Sequence, residues 1–172
     1  MSTALLLTGG AFFLQSCILP PELEIVAERD DSAPPIVSAV APAEFTTPGP
    51  PIQLELGDER FMTLTVRDND LADVIFVRFF VDYSRPDRTN SKAECSAPSS
   101  GEIEREVPCS MSTICNGVSL SEEHFLEAVV ADQPFLETSD PDAAGQLPFR
   151  ALPPGSSSSV TAWSLRCLEN ND

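Results

Sequence analysis

Residues Val74–Tyr83 read VIFVRFFVDY, the longest uninterrupted apolar alternation in the chain. Ile75, Val77, Phe79, Val81 and Tyr83 fall on one face, because successive side chains of an extended strand point opposite ways. The other face carries Val74, Phe76, Arg78, Phe80 and Asp82. One face is wholly apolar and the other half apolar, which predicts an interior strand of a sandwich rather than an edge. A buried helix is the rival reading. β-Branched and aromatic residues lose rotamer freedom in a helix and pack well on a pleated surface, so the strand is preferred. Each such side chain contributes roughly 1.5–3 kcal/mol when buried, so five on one face would dominate a small core. The triplet Asp68-Asn69-Asp70 predicts the turn that feeds this strand.

Further strands are expected on the same reasoning. Ile36–Val40 is a short candidate with Pro34-Pro35 at its entrance, a position proline tolerates at a sheet edge. In Phe61–Val66 (FMTLTV) the set Met62, Leu64 and Val66 should face the core. Ser119–Asp132 is ambiguous: Ser119 and Glu122 have capping-box spacing, whereas His124, Leu126, Ala128 and Val130 alternate as a strand. The reading adopted is a helical turn at Ser121–Glu123 leading into a strand from His124 to Ala131. Val160–Leu168 predicts the last strand, with Thr161, Trp163, Leu165 and Cys167 on one face. Asp132–Pro154, acidic and proline-rich, predicts loop. Sixteen prolines against eight glycines fit extended connections in a β-rich architecture.

The N-terminus points away from the cytoplasm. Residues 1–16 carry no charge, and Ala4–Leu7 with Ala11–Leu14 form an apolar run. The run suits a secretory signal and is shorter than the ~20 residues needed to span a bilayer. It ends Leu14-Gln15-Ser16-Cys17, which resembles the bacterial lipobox. That resemblance implies a diacylglyceryl thioether and an acylated amine on Cys17, and several acyl chains anchor stably where one does not. Signals open with positive charge, yet the first basic residue is Arg29, so an upstream start is expected. Ile18 follows the cysteine in place of the aspartate that retains enterobacterial lipoproteins in the inner membrane, which implies the outer membrane. Residues 17–33 are acidic and proline-rich and predict a flexible tether, with the domain occupying 34–172.

The pattern of the domain resembles an immunoglobulin-like β-sandwich. The resemblance lies in the turn Asp68–Asp73 with Val74–Tyr83, in His124–Asp132, and in the closing Val160–Cys167. His124 stands at the corner leading into the penultimate strand, where such domains often carry a tyrosine. The fold class expected is therefore all-β, an antiparallel sandwich with a cysteine-containing insertion over about 84–116. Asp68–Tyr83 and the closing WSLRC are also similar to uncharacterised lipoproteins of delta-proteobacterial type, a family with no known activity to transfer.

Five cysteines fit this picture. With Cys17 lipidated, Cys95, Cys109, Cys115 and Cys167 remain, an even set expected to form two disulfides in an exported chain. Three pairings are open. Cys95–Cys109 within the insertion and Cys115–Cys167 to the last strand are favoured. Zinc is the weaker alternative, because there is no CxxC pair and only one histidine.

No GxSxG, HExxH, GxGxxG or Walker loop occurs. The net charge of −17 disfavours nucleic acid, whose phosphates need a basic surface. Calcium is the one cofactor worth weighing, on Asp68, Asp70 and Asp73 or on Asp140 and Asp142, although neither group follows the EF-hand loop. The function expected is a non-enzymatic, lipid-anchored binding or structural module of the cell envelope. A small hydrolase using His124 is one alternative. Another is an assembly subunit that docks through the half-apolar face of Val74–Asp82.

Overall fold

The computed structural model describes residues 33–46, 49–84 and 89–170. Among the described residues eight strands run in chain order: β1 Ile36–Ala41, β2 Ile52–Glu55, β3 Phe61–Arg67, β4 Ile75–Val81, β5 Ala93–Ala97, β6 Glu104–Ser110, β7 Glu123–Ala131 and β8 Ser158–Leu168. They form a three-stranded sheet, β1-β3-β6, and a five-stranded sheet, β2-β8-β7-β4-β5. With β4, β7 and β8 as the C, F and G strands and β1, β3 and β6 as A, B and E, this is the immunoglobulin arrangement. Neighbours pair antiparallel except β2, which lies parallel to β8.

The alternation seen in the sequence sets the core. Met62, Leu64 and Val66 of β3 face Ile75, Val77 and Phe79 of β4, Leu126, Ala128 and Val130 of β7, and Trp163 and Leu165 of β8, all buried in one cluster. β4 is interior, flanked by β5 and β7. It stops at Val81 rather than Tyr83 because Asp82 takes a left-handed φ of 53°. A residue in that conformation cannot continue a pleat.

Three expectations need correction. First, the stretch 84–116 is no insertion: it supplies β5, an edge of the large sheet, and β6, an edge of the small one. Arg105, Val107 and Cys109 of β6 point inward between exposed Glu104, Glu106 and Pro108. The inward arginine hides the apolar period. Second, there is no helical turn at Ser121–Glu123. Ser121 has φ 65°, Leu120 forms a bridge with Cys167, and Glu123 already begins β7. Third, the outer face of β4 is covered in part by the chain itself, with Phe76 left half-buried. Phe80 is fully buried and packs with Tyr83 and Val129 against Phe135 and Phe149 of the long loop 133–157.

That loop is pinned rather than loose. The Arg78 guanidinium lies 4.7 Å from the Phe135 ring centroid and donates to the Phe149 carbonyl at 3.0 Å. Arg150 sits over Phe80 and Tyr83 at 4.6 and 3.5 Å and pairs with Glu127. The Tyr83 hydroxyl donates to the Pro148 carbonyl. Cation–π contacts of this kind contribute about 0.5–2 kcal/mol each, rising with desolvation. The loop thus serves as a third layer over the outer face of β4 and β7 around Phe80 and Val129. At the far edge of that sheet, Arg60 Nη2 donates to the Gln53 carbonyl of β2 at 2.6 Å, occupying an acceptor that an edge strand otherwise offers to other chains.

Candidate functional site

His124 is the second residue of β7, faces inward and is 2 % exposed. Its Nε2 lies 2.9 Å from the Ser119 carbonyl oxygen, five residues upstream. A carbonyl only accepts, so Nε2 carries the hydrogen and donates it. Its Nδ1 lies 2.6 Å from Asp82 Oδ2. Asp82 also ties the two strands together: its Oδ1 accepts from Phe125 N at 3.0 Å and its own N donates to the Phe125 carbonyl at 2.8 Å. The left-handed turn at Asp82 aims the carboxylate back at β7. His124 thereby makes a backbone contact like the one a corner tyrosine makes in immunoglobulin-type sandwiches. Beside it opens a cavity of about 210 Å³ lined by Thr89, Lys92 and Val118 among others. Lys92 Nζ donates to the Asn116 carbonyl at 2.6 Å, and Thr89 Oγ1 donates to that of Val81.

The hydrolase reading needs a seryl hydroxyl within about 3.2 Å of a histidine nitrogen free to take its proton. Here both ring nitrogens are engaged, and Ser119 presents its carbonyl rather than its hydroxyl. The geometry at His124 is that of a strand-locking corner. The sequence missed Asp82 as its partner, although an aspartate directly after an apolar strand is a known signal for a special turn.

The acidic turn holds a cation of its own. Arg105 reaches from β6 and places Nη2 2.5 Å from Asp68 Oδ2 and 3.2 Å from the Asp70 carbonyl, while Nη1 donates to the Asp73 carbonyl. Asp68 and Arg105 are both buried. Asp68 Oδ1 also accepts from Asp70 N at 3.2 Å, and Asp70 Oδ1 from Ala72 N at 2.9 Å. The Arg105 guanidinium pairs with the Asp68 carboxylate and meets Asp70 and Asp73 only through their carbonyls, so the turn that carries the calcium candidates Asp68, Asp70 and Asp73 is closed by Arg105. Asp140 likewise caps a short 3₁₀ turn by accepting from Asp142 N. Among the described residues no cluster of three or more His, Cys, Asp or Glu side chains is arranged to hold a metal ion.

Burial and the neighbouring Asp70, Asp68 and Asp132 charges raise the Asp73 carboxyl above its ordinary 3.8, against a smaller opposing pull from Arg105. The folded chain then holds that proton more tightly than the unfolded one. This contribution is fully present below pH 3.8 and is lost as pH rises through the folded value.

Cys95–Cys109 joins β5 to β6 across the two sheets, and Cys115–Cys167 joins the 111–122 link to β8. These are the pairings favoured from the sequence. The disulfides mark an extracytoplasmic protein. Among the described residues no helix is long and apolar enough to cross a membrane. Cys17, the expected signal segment 1–16 and residues 17–32 of the expected tether lie outside the described residues. No protein-family model matches the chain, and no curated protein matches it.

Proposed function

We propose that the chain is an exported lipoprotein whose sandwich domain serves as a non-enzymatic binding or structural module of the cell envelope. The observation that carries this reading is the cysteine account. Four of five cysteines are consumed in two disulfides of the domain, which leaves Cys17 alone. Cys17 is also the residue that follows an apolar run with lipobox spacing, Leu14-Gln15-Ser16-Cys17. A thiol that reaches an oxidising compartment without a partner is a liability unless it is modified, and the thioether removes it. The domain then begins at Pro34-Pro35 on the far side of an extended acidic tether, and the outer membrane is the membrane it is assigned to.

Cys17→Ala tests the anchor. The variant should leave the membrane fraction, lose radiolabelled palmitate, and keep the melting temperature of the wild-type domain. Undiminished membrane retention would remove the anchor from the account.

A further inference from the structure

We infer that the loop 133–157 carries a preformed docking pocket for one apolar side chain, presented by a cationic stretch of a partner polypeptide. This gives the binding module a partner class and so rests on the function proposed above.

The loop lines an open cavity of about 260 Å³ between Leu136, Ala144, Leu147, Phe149 and Ala151, with the polar Thr138 and Gln146 also on its wall. Leu147 is 49 % exposed at this pocket, a large aliphatic left in water. The pocket is built rather than incidental. Leu136 N donates to the Ala151 carbonyl at 2.8 Å and closes its base. The Gln146 side chain donates to the Asp142 and Leu152 carbonyls, both at 2.8 Å, and accepts from Leu152 N at 3.1 Å, which fixes its wall. Arg78, Arg150 and Tyr83 bolt the other side to the sheet. A pocket fixed in advance loses little ordering entropy when it is filled.

Size and charge select the occupant. Drug-sized ligands take pockets of about 300–1,000 Å³, whereas an apolar cavity near 150 Å³ already accepts a benzene ring. The volume here suits a single leucine- or phenylalanine-sized group with the rest of its bearer outside. The neighbourhood carries more acid than base. Exposed Glu137 and Asp142 and half-buried Asp140 stand in the segment that forms the pocket's wall, Glu137 with its carboxylate 3.8 Å from the Arg78 guanidinium. The loop's one cation, Arg150, is turned inward onto Phe80, Tyr83 and Glu127. A second copy of this chain, at net charge −17, is repelled from such a rim. An apolar side chain between lysines or arginines is attracted to it, and contacts of that kind set partner choice and encounter rate.

The test uses the full chain in detergent and three capped pentapeptides: leucine, or serine, between paired lysines, and leucine between paired glutamates. Amide chemical shifts report binding. The Lys-flanked leucine peptide is expected to move signals of residues 136–151 and to bind at least ten-fold more tightly than either control. Glu137→Gln with Asp142→Asn should weaken it several-fold and flatten its salt dependence. Ala144→Phe, which fills the cavity, should abolish it while the His124 ring signals stay unchanged, showing the fold intact. No localised shift, equal binding of the serine peptide, or equal binding of a small hydrocarbon with no charge preference would each overturn the inference. The assay does not involve Cys17, so its failure leaves the lipid anchor standing, and failure of the Cys17→Ala experiment leaves the pocket standing.

Discussion

Replacing Arg105 with alanine is expected to destabilise the domain by about 3–5 kcal/mol, the range seen when one member of a buried ion pair is removed. The mechanism is an uncompensated Asp68 carboxylate. Asp68 is 3 % exposed and has no route to bulk water once its guanidinium partner is gone. The same substitution strips a donor from the Asp70 and Asp73 carbonyls, so the turn that feeds β4 loses its centre. For a domain of this size the loss corresponds to a fall in melting temperature of roughly 10–15 °C. Arg105→Lys should recover only part of it, because an ammonium cannot form the fork that spans three acceptors. Arg105→Met combined with Asp68→Leu should recover much more, since an apolar pair of similar volume leaves no buried charge. Thermal melts of the four proteins check the series. A drop below about 1 kcal/mol for Arg105→Ala would mean that water reaches Asp68.

The second large effect is expected at the disulfides, and their loop lengths rank them. Cys115–Cys167 spans 52 residues and Cys95–Cys109 spans 14. The chain-entropy relation gives about 4 kcal/mol for the longer loop and about 3 kcal/mol for the shorter. The Cys115→Ala/Cys167→Ala pair should therefore melt lower than the Cys95→Ala/Cys109→Ala pair. Position sharpens the ranking. Cys115 and Cys167 are both buried, and their bridge fixes the link that carries Ser119, the acceptor for His124. Losing it should loosen the corner as well as lengthen the free chain. Equal melting temperatures for the two double variants would show that loop length is not the governing term.

The interior of this fold is readable from the sequence because its strands are buried by simple alternation. Met62, Leu64 and Val66, and the two faces of Ile75–Val81, fall where a period of two places them, whereas Tyr83, past the left-handed Asp82, joins Phe80 on the opposite face from the one expected. The edges are harder. β2 is four residues, IQLE, in a proline-rich stretch, so Ile52 and Leu54 give too short a pattern to stand out. β5 is built on small residues, AECSA, and β6 turns an arginine inward, so neither shows an apolar stripe. The capping-box spacing of Ser119 and Glu122 pointed to a turn of helix. The backbone instead takes a left-handed residue at Ser121 and a bridge to Cys167, because tertiary pairing outweighs a local preference.

The candidate sites were legible only in part, for a related reason. The acids at Asp68–Asp73 are visible as a cluster, but the cation that satisfies Asp68 lies 37 residues from it, on the neighbouring strand β6 of the same sheet. His124 was recognisable as a corner residue by its place at the start of a strand. Its carboxylate partner, Asp82, is 42 residues away and invisible without the fold. The loop 133–157 reads as loop by composition. Its role as a cover over Phe80 depends on Arg78 and Tyr83, whose targets on the loop lie 65 to 71 residues further along the chain.

A count of reactive thiols on protein purified from membranes bears most directly on the export, oxidation and acylation of this chain. Under denaturing, non-reducing conditions maleimide should find none, and after reduction it should find four, one fewer than the five cysteines encoded. Four thiols free before reduction, or five after it, would contradict the account.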